Sequence, residues 1–251
     1  MPVVFVGHGT PMNALGGPNA EAWAALASGL PRPKAILAVS AHWTLDETAA
    51  TAMAAPRTIH DFGGFPQPLF DMQYPAPGDT GLAGRAAELL APVAVRQDQD
   101  WGLDHGTWSV LTHMYPDADV PVVQLAMDLS LPFAGHYDLG RRLAPLRDEG
   151  VLILGSGDVV HNLRAAIRNP DAAPLDWAQH FHGLVKDRLI AGDHAALADP
   201  GGLGSQARLA VDEHYLPLLY VLGAADRSEP VALFNDRVEL GAISMLGARI
   251  G

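Results

Sequence analysis

With 251 residues, 49% of them hydrophobic and 18% charged, the chain can bury a substantial core, and its length suits one α/β domain. The formal net charge of −12, with no cluster of Lys and Arg, excludes a phosphate backbone as partner, because clustered cations carry nucleic-acid affinity. There is no cysteine, so disulfides, thiolate zinc sites and a cysteine nucleophile are excluded, and any metal must be bound by His, Asp or Glu.

No apolar run reaches the roughly 18 residues that span a bilayer, so no membrane association is expected. Met1 is followed at once by a strand-like segment, without a basic stretch or an apolar signal region, and the cytoplasm is the expected compartment.

Taken in chain order, residues 2–7 form a Val-rich strand and 20–30 a helix. A second strand follows at 35–41 and a short one near 50–54. Two proline-rich loops, 64–68 and 74–78, are placed to rim a pocket. A helix at 81–90 precedes a short strand near 91–96, then come a strand at 120–126, a helix at 133–146 and a strand at 150–155. Residues 175–198 give the longest helix, with Trp177, Phe181, Leu184, Val185 and Leu189 on one face. Further helices are expected over 204–213 and from Pro217, and a hairpin-like tail runs from Val231 to Arg249. Repeated alternation of strand and helix predicts a single-domain α/β fold with a central, largely parallel sheet flanked by helices on both faces.

Eleven histidines stand out, and their positions separate them. His8 follows the first strand between two glycines, and His42 follows the second. Two histidines leaving the carboxyl ends of strands expected to be neighbours read as a pair of metal ligands, since open α/β sheets place their sites there. The run from Val151 to Asn162 ends in a Gly155-Ser156-Gly157 turn that carries His161. It superficially resembles a dinucleotide fingerprint, but Val160 stands where the third glycine belongs, so the turn reads as one that delivers a histidine. His105 precedes an amphipathic helix, His214 sits at a helix junction beside Asp212 and Glu213, and His60 lies in a glycine-punctuated loop as a pocket residue. His113, His136, His180, His182 and His194 fall in helix patterns and read as solvated.

The residues 8–15 (HGTPMNAL), 40–43 (SAHW), 104–108 (DHGTW), 155–162 (GSGDVVHN) and 213–219 (EHYLPLL), in this order, resemble the class III extradiol ring-cleavage dioxygenase superfamily, in its DOPA 4,5-dioxygenase-like branch. The resemblance implies one catalytic domain over residues 1–251 that opens the ring of a small aromatic diol, a DOPA-like catechol, and inserts both atoms of O2 to give a semialdehyde. It implies one divalent metal at His8 and His42, with His214 where related enzymes have a carboxylate. His161 is then either a further ligand or the catalytic base, and His105 an acid/base residue. Fe(II) is expected for activity, and Zn(II) is an ion the same imidazoles accept. Thr10, Asn13, Trp43, His60, Asp104 and Trp108 adjoin these histidines and are the expected pocket or supporting residues. Neither nucleic acid nor membrane is an expected partner, and the chain is expected to be a monomer or homodimer. A zinc hydrolase using the same histidines, or a non-catalytic metal-binding relative, are the alternatives.

Overall fold

The computed structural model describes residues 1–169 and 172–251. In chain order the elements are β1 (Val3–Gly7), α1 (Pro18–Ser28), β2 (Ala35–Leu45), β3 (Thr48–Thr51), α2 (Gln67–Asp71), α3 (Thr80–Leu90), β4 (Val95–Asp98), α4 (His105–Met114), β5 (Val122–Asp128), α5 (Phe133–Leu143) and β6 (Val151–Gly157). They continue with α6 (Asp176–Ile190), α7 (His194–Leu197), α8 (Ala207–Ala210), α9 (Leu216–Ala224), β7 (Val231–Phe234), β8 (Val238–Glu239), β9 (Ile243–Ser244) and β10 (Gly247–Ile250).

The main sheet has eight strands in the order β4-β3-β5-β2-β6-β1-β10-β7. Its centre, β5-β2-β6-β1, is parallel. Every residue of β1, β5 and β6 is buried, the pattern of strands covered on both faces. Because successive side chains alternate between faces, Val3, Phe5, Leu37 and Ile153 pack into one layer with Ala86 of α3, Leu139 of α5, Phe181 of α6 and Leu219 of α9. Val4, Val6, Ile36 and Leu154 pack into the other, with Trp23 of α1 and Leu111 of α4. No helix among the described residues is long and apolar enough to cross a membrane.

The tail is a wide hairpin, as expected, and its second arm, β10, also pairs antiparallel with β1 and so extends the main sheet. Four expectations need correction. The strands that carry His8 and His42 are not neighbours, because β6 lies between β1 and β2. His42 does not follow its strand but lies within β2, which runs on to Leu45. The helix expected over 204–213 is only the single turn α8, because Val211 turns extended and the Asp212 carboxylate caps the next turn, accepting from the His214 amide at 2.9 Å. The long helix ends at Ile190, and α7 restarts after it under the Asp193 carboxylate, which accepts from the Ala196 amide at 3.2 Å.

Three histidines read as solvated are buried, each against polar groups from another element: His136 beside the Tyr220 hydroxyl at 3.1 Å, His182 between Ser244 Oγ and Asp236 Oδ1 at 2.9 and 2.8 Å, and His194 against Tyr137.

Helices α5 and α9 cross at backbone contact. A β-carbon at Gly223 would lie 2.1 Å from the Tyr137 carbonyl oxygen, and one at Gly140 would lie 2.3 Å from that of Tyr220. Gly223→Ala therefore overpacks this crossing and should cost about 1–3 kcal/mol. At about 2–4 °C per kcal/mol for a chain of this size, thermal denaturation should show a Tm lowered by several degrees. An unchanged Tm would contradict the close crossing.

Candidate metal centre and active site

Sheet register decides which side chains meet. Ser156 of β6 pairs with Val6 of β1 on one side and with Ser40 of β2 on the other, and Gly157 pairs with Gly7. The pairing of β6 with its two neighbours therefore ends at one level, and His8, Asp158 and His42 all follow just beyond it, His42 within the part of β2 that runs on past β6. The strand between β1 and β2 thus delivers a carboxylate beside His8, with Asp158 Oδ2 3.7 Å from His8 Nε2.

Two glycines let other elements close on this edge. A β-carbon at Gly157 would lie 2.1 Å from the His214 carbonyl oxygen, so only glycine admits the chain that carries His214, whose carbonyl accepts from the Asp158 amide at 2.9 Å. The glycine-rich turn serves close chain packing and not phosphate binding. A β-carbon at Gly106 would lie 2.5 Å from Ser40 Oγ and 2.9 Å from His42 Cδ2, so the first turn of α4 rests directly on the histidines.

His8 is 1% exposed and its Nδ1 lies 3.0 Å from Ser156 Oγ. The single Ser156 hydroxyl proton is donated to the Gly106 carbonyl at 2.5 Å, so Oγ accepts from His8 Nδ1–H and the free lone pair is on Nε2. That Nε2 stands 3.1 Å from His42 Nε2, while His42 Nδ1 lies 3.4 Å from Asp61 Oδ2, which favours the proton on Nδ1 there as well. Two lone pairs thus face each other. Burial, followed by the neighbouring imidazoles, pushes both histidines below their ordinary pKa, so both rings are neutral. A divalent cation fits between two such nitrogens, since nitrogens about 2.1 Å from one tetrahedral ion lie about 3.4 Å apart.

The His214 ring is 5.3 Å from His8 and 5.1 Å from His42, and its Nδ1 is buried without a hydrogen-bond partner. Donor atoms within 4.8 Å of one another occur in three sets, His8 with His42 and His105, His8 with Asp158 and His214, and His161 with Asp212 and His214. The residues fit a metal. Burial alone would lower the His214 pKa, but the carboxylates of Asp212, Glu213 and Asp158 together outweigh it and raise the value to about 9.

Two carboxylate–imidazole pairs flank the cluster. Asp61 accepts from the His105 backbone amide and from His105 Nδ1, both at 2.8 Å, which turns His105 Nε2 away from Asp61. Burial would raise the Asp61 pKa, yet these bonds hold it below the usual carboxylate range. His161 Nδ1 lies 2.6 Å from Asp212 Oδ2, and the same balance, burial outweighed by its bonds to His161 and His214, lowers Asp212. The His161 ring stacks on His214 at 3.5 Å with 16° between planes.

Of the expected supporting residues, Asp104 is fully buried beneath the cluster. It caps α4, accepts from Ser40 Oγ at 2.7 Å and also accepts from Gln124 Nε2, and burial raises its pKa to about 6. Asn13 donates to the His8 carbonyl at 2.9 Å, and Thr10 caps the turn that follows at 3.4 Å. Trp43 stacks on Trp101 at 5.5 Å in a small separate cluster, so it does not face the histidines. Trp108 is fully buried and donates to the Ile59 carbonyl at 2.8 Å, with the His60 ring 5.6 Å away. His60 Nε2 lies 3.0 Å from the Met72 carbonyl. Beside His105, at 5.4 Å, stands Phe62, within a half-buried aromatic wall that includes Phe65 and Phe70.

Sequence reasoning missed Asp61, Ser156, Asp158, Asp212 and Phe62 as site residues. Asp212 lies two residues from His214, Ser156 and Asp158 lie in the motif that carries His161, and Asp61 and Phe62 adjoin His60, but none of these neighbours reveals which histidine it meets.

Residues 8–247 match the family model described as the catalytic LigB subunit of aromatic ring-opening dioxygenase. The chain is 49% identical to the 4,5-DOPA dioxygenase extradiol of Escherichia coli K12 over 257 residues, covering 100% of this chain and 95% of that protein. It is 38% identical to the 4,5-DOPA dioxygenase extradiol of Beta vulgaris over 250 residues, covering 96% and 92%. The crystal structure of an uncharacterized Escherichia coli K12 protein superposes over 100% of both chains with a TM-score of 0.87 at 45% identity. The chain belongs to the LigB family of aromatic ring-opening dioxygenases and is an extradiol ring-cleaving oxidoreductase.

Proposed function

We propose that this chain, as one catalytic domain over residues 1–251, opens the ring of a catechol-type, DOPA-like diol with O2 to a semialdehyde. It does so with one divalent metal held by His8, His42 and His214. The observation that carries the metal is the pair of lone pairs 3.1 Å apart on His8 and His42. The ring-opening chemistry is supported by the family, and the DOPA-like substrate by the names of the relatives from Escherichia coli and Beta vulgaris. Fe(II) is the metal for turnover, and Zn(II) a competitor for the same imidazoles.

A metal held by these histidines would supply Lewis acidity toward the diol and a relay for the electrons that the diol gives up to O2. His161 is the base rather than a further ligand. Its plane is nearly parallel to that of His214 and 3.5 Å away, so lone pairs lying in the two planes do not converge on one ion. Asp212 fixes its Nδ1 proton and stabilises the imidazolium formed when Nε2 takes a phenolic proton. His105, held in the same way by Asp61, returns a proton during ring opening. The wall of Phe62, Phe65 and Phe70 packs the substrate ring and keeps water from the cluster.

Metal-free protein reconstituted anaerobically with Fe(II) should consume O2 stoichiometrically with a catechol such as DOPA and develop a semialdehyde absorbance. The Zn(II) form should do neither. Full activity with Zn(II) in the absence of O2 would instead establish a hydrolase. In the Fe(II) assay His105→Ala should lower kcat by about 10²–10⁴-fold with the metal content unchanged.

His214 holds a proton below pH about 9, whereas His8 and His42 are already neutral. Metal uptake near pH 7.5 should therefore release about one proton, and affinity should climb with pH until that proton is lost near pH 9. Calorimetry in buffers of different ionisation enthalpy reads the proton directly, and metal binding without proton release would remove His214 from the ligand set.

A further inference from the structure

One carboxylate at the centre of the cluster has an unsatisfied oxygen. Asp158 is fully buried, its Oδ1 accepts from the Gly9 amide at 3.1 Å, and its Oδ2 has no hydrogen-bond partner. Oδ2 stands 3.7 Å from His8 Nε2, the nitrogen that has no proton to give because Nδ1 holds it against Ser156. A buried carboxyl oxygen without a partner is costly, and His8 offers it no proton from this side. His8 Nε2 faces both His42 Nε2 at 3.1 Å and Asp158 Oδ2 at 3.7 Å, and the donor atoms of His8, Asp158 and His214 lie within 4.8 Å of one another. The backbone makes this placement obligatory, because Asp158 directly follows Gly157 on the strand between β1 and β2, and its amide is bonded to the His214 carbonyl at 2.9 Å.

We propose that Asp158 is a metal ligand in the substrate-free protein, its Oδ2 completing a two-histidine, one-carboxylate set with His8 and His214, to which His42 adds a further nitrogen. The inference rests on the metal reading given above and changes its character. A set of imidazoles alone suits zinc as well as iron, whereas an anionic oxygen donor shifts preference toward harder ions such as Mn(II) and Fe(II). Asp158 thereby supplies the carboxylate that an all-histidine set lacks, from β6 and not from the segment that carries His214.

The test compares wild type with Asp158→Asn, a change that keeps the side chain's size and its acceptor for the Gly9 amide. Both metal-free proteins are titrated with Mn(II) and with Zn(II) against a chromophoric chelator, and metal-loaded wild type is crystallised. Asp158→Asn should weaken Mn(II) binding by at least about tenfold and Zn(II) binding clearly less. A carboxylate that acted only by holding Gly9 would change neither metal selectively. In the crystal, Oδ2 should lie about 2.0–2.2 Å from the ion, and this distance decides alone if the variant does not fold. An ion held by the histidines with Oδ2 beyond about 3 Å, or a variant with unaltered Mn(II) to Zn(II) preference, overturns the proposal and leaves the dioxygenase reading standing. Wild type that takes up neither metal overturns both.

Discussion

The site depends on one close contact, that of His8 Nε2 and His42 Nε2 at 3.1 Å. The contact is fixed from outside by bonds that leave little freedom. The Ser156 hydroxyl ties His8 on β1 to the first turn of α4, Gly106 brings that turn against His42, and β6 sets the distance between the two strands. Relaxing the pair would require breaking the buried Ser40, Asp104 and Gln124 network beneath it or moving a strand in the centre of the sheet. A core that holds imidazole nitrogens this close together fits a cation, and LigB-family dioxygenases are metal-dependent.

Environment gives five residues of one type different tasks. His8 and His42 are buried among other imidazoles and stay neutral, as ligands must. His214 is buried too, but three carboxylates around it reverse the sign of the shift. His105 and His161 lie at the margin, each with Nδ1 on a carboxylate, an arrangement that fixes the orientation of an imidazole. The α9 side and the α4 side of the sheet each contribute one such pair, through Asp212 and Asp61, so the cluster of His8, His42 and His214 lies between two carboxylate-held imidazoles.

Much of this was legible in the sequence wherever the determining pattern was local. Continuous apolar runs marked the buried parallel strands, a glycine-flanked strand end marked His8, the apolar run before it marked His42, and the ordered motifs marked His105, His161 and His214. What stayed hidden depends on long-range pairing. Asp61 meets His105 across 44 residues and Ser156 meets His8 across 148, with no spacing rule to join them. That β6 enters between β1 and β2 follows from crossover topology and not from either strand's composition, so the position of Asp158 beside His8 was invisible as well. The shortened helix at 207–210 and the buried His136, His182 and His194 share a cause. In each case a polar partner set the outcome: a capping carboxylate cut the helix short, and polar side chains from other elements gave the three helical histidines buried contacts.

The claim at the centre of the account is that the converging donors form a metal centre that spends O2 on opening an aromatic ring. Its most direct test is turnover of a catechol by the Fe(II)-loaded protein under ¹⁸O-labelled O2, with the ring-opened product trapped before its aldehyde exchanges with water and weighed by mass spectrometry. Incorporation of both labelled atoms is the predicted result. A product that carries oxygen from water alone would contradict the account.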